Sequence, residues 1–189
     1  MKPARICLIS AMAILAKAVG SHLMIATVIF CLTACDLVSK KPQRIEFLDN
    51  SFAVMKPAGW SLRDDLNDVA DLQMGNLLKE AYAIIISESK MDFEDLSLQG
   101  HSDITRSMLR EGLDNYNESG PEYLENNEFP MLRYRLIGTA EGVHITYWHV
   151  TIETAAHYHQ MILWSLRSKF AKNKADFNAV IQSFEVISE

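Results

Sequence analysis

Cysteine is scarce in this chain of 189 residues and confined to one end. It occurs as Cys7, Cys31 and Cys35, with none after residue 35. That excludes a disulfide framework or a thiolate metal centre anywhere downstream. Acidic residues are absent from residues 1–34, whose only bases are Lys2, Arg5 and Lys17. Long apolar runs are missing too. Leu23–Ala34 (LMIATVIFCLTA) is uncharged but too short to cross a hydrocarbon core, which needs roughly 20 residues. No stretch matches a nucleophile elbow, a phosphate loop, a zinc-protease helix or a dinucleotide fingerprint. Bases are the minority, 18 against 24 acids. All 24 acids follow Cys35 and only 15 bases do, so this part carries −9, which argues against nucleic acid as a partner. The same acidity disfavours broad contact with anionic lipid.

What the N-terminus does have is the layout of a secretory signal: bases, no acids, then the apolar segment 23–34. A second apolar run, Ile6–Ala16, precedes it, separated by Lys17, Gly20, Ser21 and His22. This flank is either a long n-region or upstream of a true start at Met12. A single tilted transmembrane helix over Ile6–Ala34 would set Lys17 and His22 in mid-membrane, where charge is costly.

Leu32-Thr33-Ala34-Cys35 resembles the bacterial lipobox, an aliphatic residue, two small ones and a cysteine. Small residues let a peptidase approach the backbone, and the thiol is the nucleophile that accepts a diacylglyceryl group. The resemblance implies cleavage between Ala34 and Cys35, lipidation of Cys35, and loss of Cys7 and Cys31 with the leader. Several acyl chains anchor a protein far more firmly than one. Asp36 resembles the sorting residue that retains such proteins in the inner membrane. The expected organisation is a removed signal over 1–34, an acylated cysteine and tether over 35–43, and one domain over 44–189. The expected location is the cell envelope, lipid-anchored and facing the periplasm.

The remaining sequence predicts an α+β domain. Arg44–Leu48 and Ser51–Met55 alternate around Asp49-Asn50 as a hairpin. Ala70–Asn76 and Ala81–Glu88 form a second strand pair, with Ile84-Ile85-Ile86 buried on both faces. Ser102 caps a helix to Leu113 that turns Ile104, Met108, Leu109 and Leu113 inward. Asn115–Asn127 reads as a polar loop with a short strand at Glu122–Leu124. Met131–Thr139, Val143–Glu153 and His157–Leu166 form an antiparallel meander. A last helix over Lys174–Gln182, with Asn173 as its cap, buries Phe177, Val180, Ile181 and Phe184.

The F-x-V-x-x-P-x-G-W segment (Phe52–Trp60), the Tyr- and Trp-rich meander and the closing F-x-x-V-I-x-S-F (Phe177–Phe184) resemble the Mog1/PsbP-like family. Within it they resemble the DcrB-type (DUF1795) bacterial lipoproteins, over about Arg44–Ile187. The resemblance implies a central antiparallel sheet with helices on its faces, and non-enzymatic protein binding. These are packing motifs, so they carry no catalytic residue and no cofactor across.

The histidines are the candidate site. If the last hairpin turns at Thr154–Ala156, opposing residue numbers sum to about 310. Glu153 then faces His157, Thr151 faces His159, and His149 lies diagonal to His159. His149, Glu153, His157 and His159 would share one solvated face, suited to zinc or copper. Trp148, Val150, Ile152, Tyr158, Ile162, Trp164 and Leu166 would share the other. The competing reading is an amphipathic hairpin with polar residues outside, and a one-residue slip would break the constellation. The Asp64, Asp65, Asp68 and Asp71 cluster reads as a solvated loop. Trp60, Trp148 and Trp164 read as core. The favoured function is a non-enzymatic envelope module with a protein partner, and the alternative is metal or small-ligand binding on the histidine face.

Overall fold

Asp49 and Asn50 take left-handed backbone conformations that their short polar side chains tolerate. They return β1 (Gln43–Phe47) onto β2 (Phe52–Lys56), pairing Phe47 with Phe52. This hairpin opens the computed structural model, which describes residues 39–125 and 128–188. The expected signal segment over 1–34, the expected cleavage between Ala34 and Cys35, the expected lipidation at Cys35 and the expected sorting role of Asp36 therefore lie outside the described residues. Among those described, no helix is long and apolar enough to cross a membrane.

The central sheet is antiparallel and seven-stranded, in the order β3-β4-β5-β9-β8-β7-β6. Its strands are β3 (Ser61–Leu62), β4 (Leu72–Asn76), β5 (Ala81–Ser89), β6 (Asp114–Glu125), β7 (Pro130–Ala140), β8 (Val143–Glu153) and β9 (His157–Leu166). The predicted meander is present. Residues 115–125 of the predicted polar loop are instead most of β6, a long edge strand. An edge strand has only one neighbour, so it stays polar and irregular, and register shifts interrupt its pairing with β7 at two places.

Two helices cover the sheet, one on each face. Helix α2 (Phe170–Gln182) lies with β1, β2 and β10 (Glu185–Val186) on one side. Phe52, Trp60, Trp148, Val150, Met161, Phe177 and Ile181 close that core. The helix starts four residues earlier than predicted, and Asn173 is buried within it, donating to the Lys79 carbonyl at 3.1 Å. Helix α1 (Leu98–Glu111) covers the other face, capped by Ser97, whose Oγ accepts from Gly100 N at 3.0 Å.

Candidate functional site

Helix α1 presents an unexpected side to the sheet. The buried residues are His101, Ser102, Thr105 and Arg106, while Ile104 and Met108 are each 43 % exposed. Ser102 lies inside the helix, and Ser97 takes the capping role. Only the C-terminal part of the predicted inward stripe, Leu109 and Leu113, packs with Leu136, Tyr147 and Ile162. The N-terminal half of the helix instead covers polar groups on the sheet.

The β8–β9 register explains which groups those are. Thr154 N donates to the His157 carbonyl at 2.9 Å, so the loop is only Ala155-Ala156. Glu153 pairs with Tyr158, Thr151 with Gln160 and Ile152 with His159, a sum of 311 rather than 310. One residue of slip moves one strand's side chains to the opposite face. His149 and Glu153 consequently lie on the α1 side and His157 and His159 on the α2 side. The expected histidine face does not exist. The expected apolar face is divided in the same way: Trp148, Val150 and Ile152 meet α2, whereas Tyr158, Ile162 and Trp164 lie on the α1 side. Trp60 and Trp148 are core residues, as read from the sequence, and Trp164 packs half-buried on the α1 side. Among the described residues, no three His, Cys, Asp or Glu side chains gather at one point.

Each histidine has an evident packing role. The His159 ring lies 4.4 Å from that of Phe52 and 4.9 Å from that of Phe184, with Nδ1 2.9 Å from Ser87 Oγ. His157 packs edge-on to Phe52 at 5.5 Å. His149 is fully enclosed under α1. Gln160 Nε2 donates to its Nε2 at 3.1 Å, which places the ring proton on Nδ1, and Thr105 Oγ1 lies 3.0 Å from the same nitrogen. Burial, then the positive charge of Arg106, then His101, push the His149 pKa down to about 3. The ring is neutral at physiological pH and unsuited to proton transfer there.

Around it lies an interior polar layer. The Arg106 guanidinium stacks 3.5 Å over the Tyr134 ring and bonds Glu118 at 2.5 Å and Asp103. Burial opposes its charge, and Glu118 more than restores it, so its pKa is raised. Burial raises the Glu118 carboxyl, but bonds from Tyr116 and Arg106 outweigh this and hold it low. His101 Nδ1, Ser102 Oγ, Arg106 Nε, His149 Nδ1 and Thr151 Oγ1 are buried and have no hydrogen-bond partner among the described residues. Groups of this kind are normally satisfied by ordered water.

The layer reaches the surface at one end of the sheet, beside a depression of about 330 Å³ lined by Lys90, Phe93, Asp95, Leu96, Glu153 and Tyr158. Tyr158 stacks on His101 at 4.7 Å and its hydroxyl donates to the Leu96 carbonyl. Lys90 lies 5.2 Å from the Tyr158 ring centre and pairs with Glu153 at 2.6 Å. His101 Nε2 lies 2.8 Å from Glu88 Oε2. Met91, next to Lys90 in the chain, is 94 % exposed. An aromatic floor and paired charges suit a contact surface. The sequence signal for the buried polar layer is the pair of i, i+4 polar couples His101/Thr105 and Ser102/Arg106.

No protein-family model matches the chain, and no curated protein matches it in sequence. Solved structures do. The cyanobacterial PsbP (CyanoP) of Synechocystis sp. PCC 6803 superposes with a TM-score of 0.56 at 17 % identity, covering 82 % of this chain and 98 % of its own. LpqN of Mycobacterium tuberculosis, described as involved in cell envelope biogenesis, gives 0.57 at 12 % identity, covering 77 % and 90 %. The Ran-binding protein Mog1p of Saccharomyces cerevisiae gives 0.51 at 10 %, covering 79 % and 97 %. The fold is Mog1/PsbP-like. At these identities the likeness establishes architecture, an antiparallel sheet with helices packed on it, and no shared activity.

Proposed function

We propose that this chain is a lipid-anchored, non-catalytic accessory module of the bacterial cell envelope, of the DcrB (DUF1795) type, acting through a protein partner. One observation carries the reading: Leu32-Thr33-Ala34-Cys35 ends the apolar leader, and only three residues separate Cys35 from Ser39, where the described residues begin. Acylated Cys35 holds the domain to the membrane, and Asp36 favours the inner membrane. Two fold neighbours support the functional class, one described as involved in cell envelope biogenesis and one as Ran-binding. The depression at Lys90, Phe93 and Tyr158, with exposed Met91 next to Lys90 in the chain, is the contact surface this reading favours.

Two measurements test it. Cys35→Ala protein is expected in the soluble fraction of lysed cells; variant protein that stays with the membranes overturns the lipid anchor. A photo-crosslinking amino acid at position 91 of the wild-type chain, activated in intact cells, is expected to capture an envelope protein. If mass spectrometry finds no protein enriched over an unrelated lipoprotein control, the partner reading is wrong.

A further inference from the structure

The β4–β5 hairpin ends in two exposed leucines. Leu78 is 92 % exposed and Leu77 60 %. The turn beneath them is fixed: Lys79 N donates to Asn76 Oδ1 at 3.0 Å, and Glu80 N to the Leu77 carbonyl at 3.2 Å. Helix α2 braces it from below, through Asn173 Nδ2 to the Lys79 carbonyl, Lys79–Asp176 at 2.7 Å and Lys169–Glu80 at 2.5 Å. Two large apolar side chains therefore stand in water on a rigid support.

Where the chain enters the fold gives this tip its meaning. Asn76 Nδ2 donates to the Gly59 carbonyl at 2.7 Å, and Gly59 N donates to the Ser39 carbonyl at 2.8 Å. Gly59 has φ 79°, open to glycine without strain, and a Cβ there would stand 3.3 Å from Asn76 Nδ2. Ser39 is thus pinned beside the hairpin. The four Cα-to-Cα steps from Ser39 back to Cys35 reach at most ~14 Å, so Cys35 cannot stray far from the two leucines. Lys40 and Lys41, and Lys172 next to Asn173, are exposed at this end of an otherwise acidic domain.

Resting on the lipid-anchor reading, we propose that Leu77 and Leu78 insert into the bilayer interface beside the acylated Cys35. The domain then touches the membrane at two points, and Lys40, Lys41 and Lys172 face anionic headgroups. Lipid chains alone would leave the domain free to swing; a second apolar contact fixes its orientation.

The test uses the full-length protein matured in cells and purified with its anchor into phosphatidylethanolamine–phosphatidylglycerol vesicles. Leu78→Cys and, separately, Met91→Cys carry a polarity-sensitive fluorophore. On the proposal, the probe at 78 shifts to the blue and loses emission to nitroxide-labelled lipids, while the probe at 91 does neither. If the protein is in the vesicles and both probes report water, the insertion is wrong and the anchor stands. A blue-shifted probe at 78 that nitroxide lipids do not quench indicates a protein contact and overturns the bilayer as occupant. Protein that never associates with membranes removes the anchor and the insertion with it.

Discussion

His149 shows how the interior of this domain handles a titratable group. A histidine enclosed between helix and sheet is tolerated while neutral, and its pKa is pushed from 6.5 down to about 3 by burial first, then by Arg106 and His101. The unfolded chain takes up this proton near pH 6.5 and the folded chain refuses it until about 3. Stability attached to the residue is therefore complete above 6.5 and drains as pH falls toward 3. Between about pH 7.5 and about pH 5 the linkage amounts to about 2 kcal/mol. His149→Gln keeps polar atoms at the site without the titration. The fall in Tm across that interval is expected to shrink in the variant, measured by thermal melts at both pH values. An unchanged fall would assign the acid sensitivity elsewhere. Glu118 is separable, because its depressed carboxyl keeps its contribution above the ordinary carboxylate value and loses it as pH falls through that value and below.

At the scale of elements, α1 is the one whose orientation the residues conceal. Ile104 and Met108 are the apolar positions of its second and third turns, yet each is 43 % exposed while Ser102 and Arg106 are buried. Ile104→Gln is expected to change unfolding free energy by no more than about 0.5 kcal/mol. Ser102→Leu, forced into a filled interior, should cost about 1–3 kcal/mol. Urea titrations of both variants check the pair, and the reverse order would mean the helix is turned the other way. Periodicity alone could not orient α1, because its partner surface is polar: the inward stripe matches His149, Gln160 and Glu118 rather than an oily core. Elements that pack conventionally were legible. The Asp49-Asn50 hairpin, the three-strand meander and the inward side of α2 follow from turn chemistry and alternation. The β8–β9 register did not, because β8 and β9 are buried on both faces and offer little polar contrast to fix the phase. Everything inferred about the histidines depended on that phase.

On the scale of the whole molecule, one sheet separates two unlike interiors, an aromatic one under α2 and a polar one under α1. Both rest on β5, β8 and β9, so they are expected to melt together. Far-ultraviolet circular dichroism and tryptophan emission should give coincident transitions, with Trp60 and Trp148 reporting one face and Trp164 the other. Phe177→Ala should cost about 3–5 kcal/mol and shift both probes equally; separated transitions would divide the domain. The same strands also set a distance. The leucine tip precedes β5 and the Lys90–Tyr158 depression follows it, so nine residues of extended chain, about 30 Å, lie between the two ends. With the tip at the bilayer, the sheet becomes a stalk that lifts the depression beyond the headgroups. A partner that reaches it must then project a folded region of its own to the same height, which excludes proteins lying flush with the membrane.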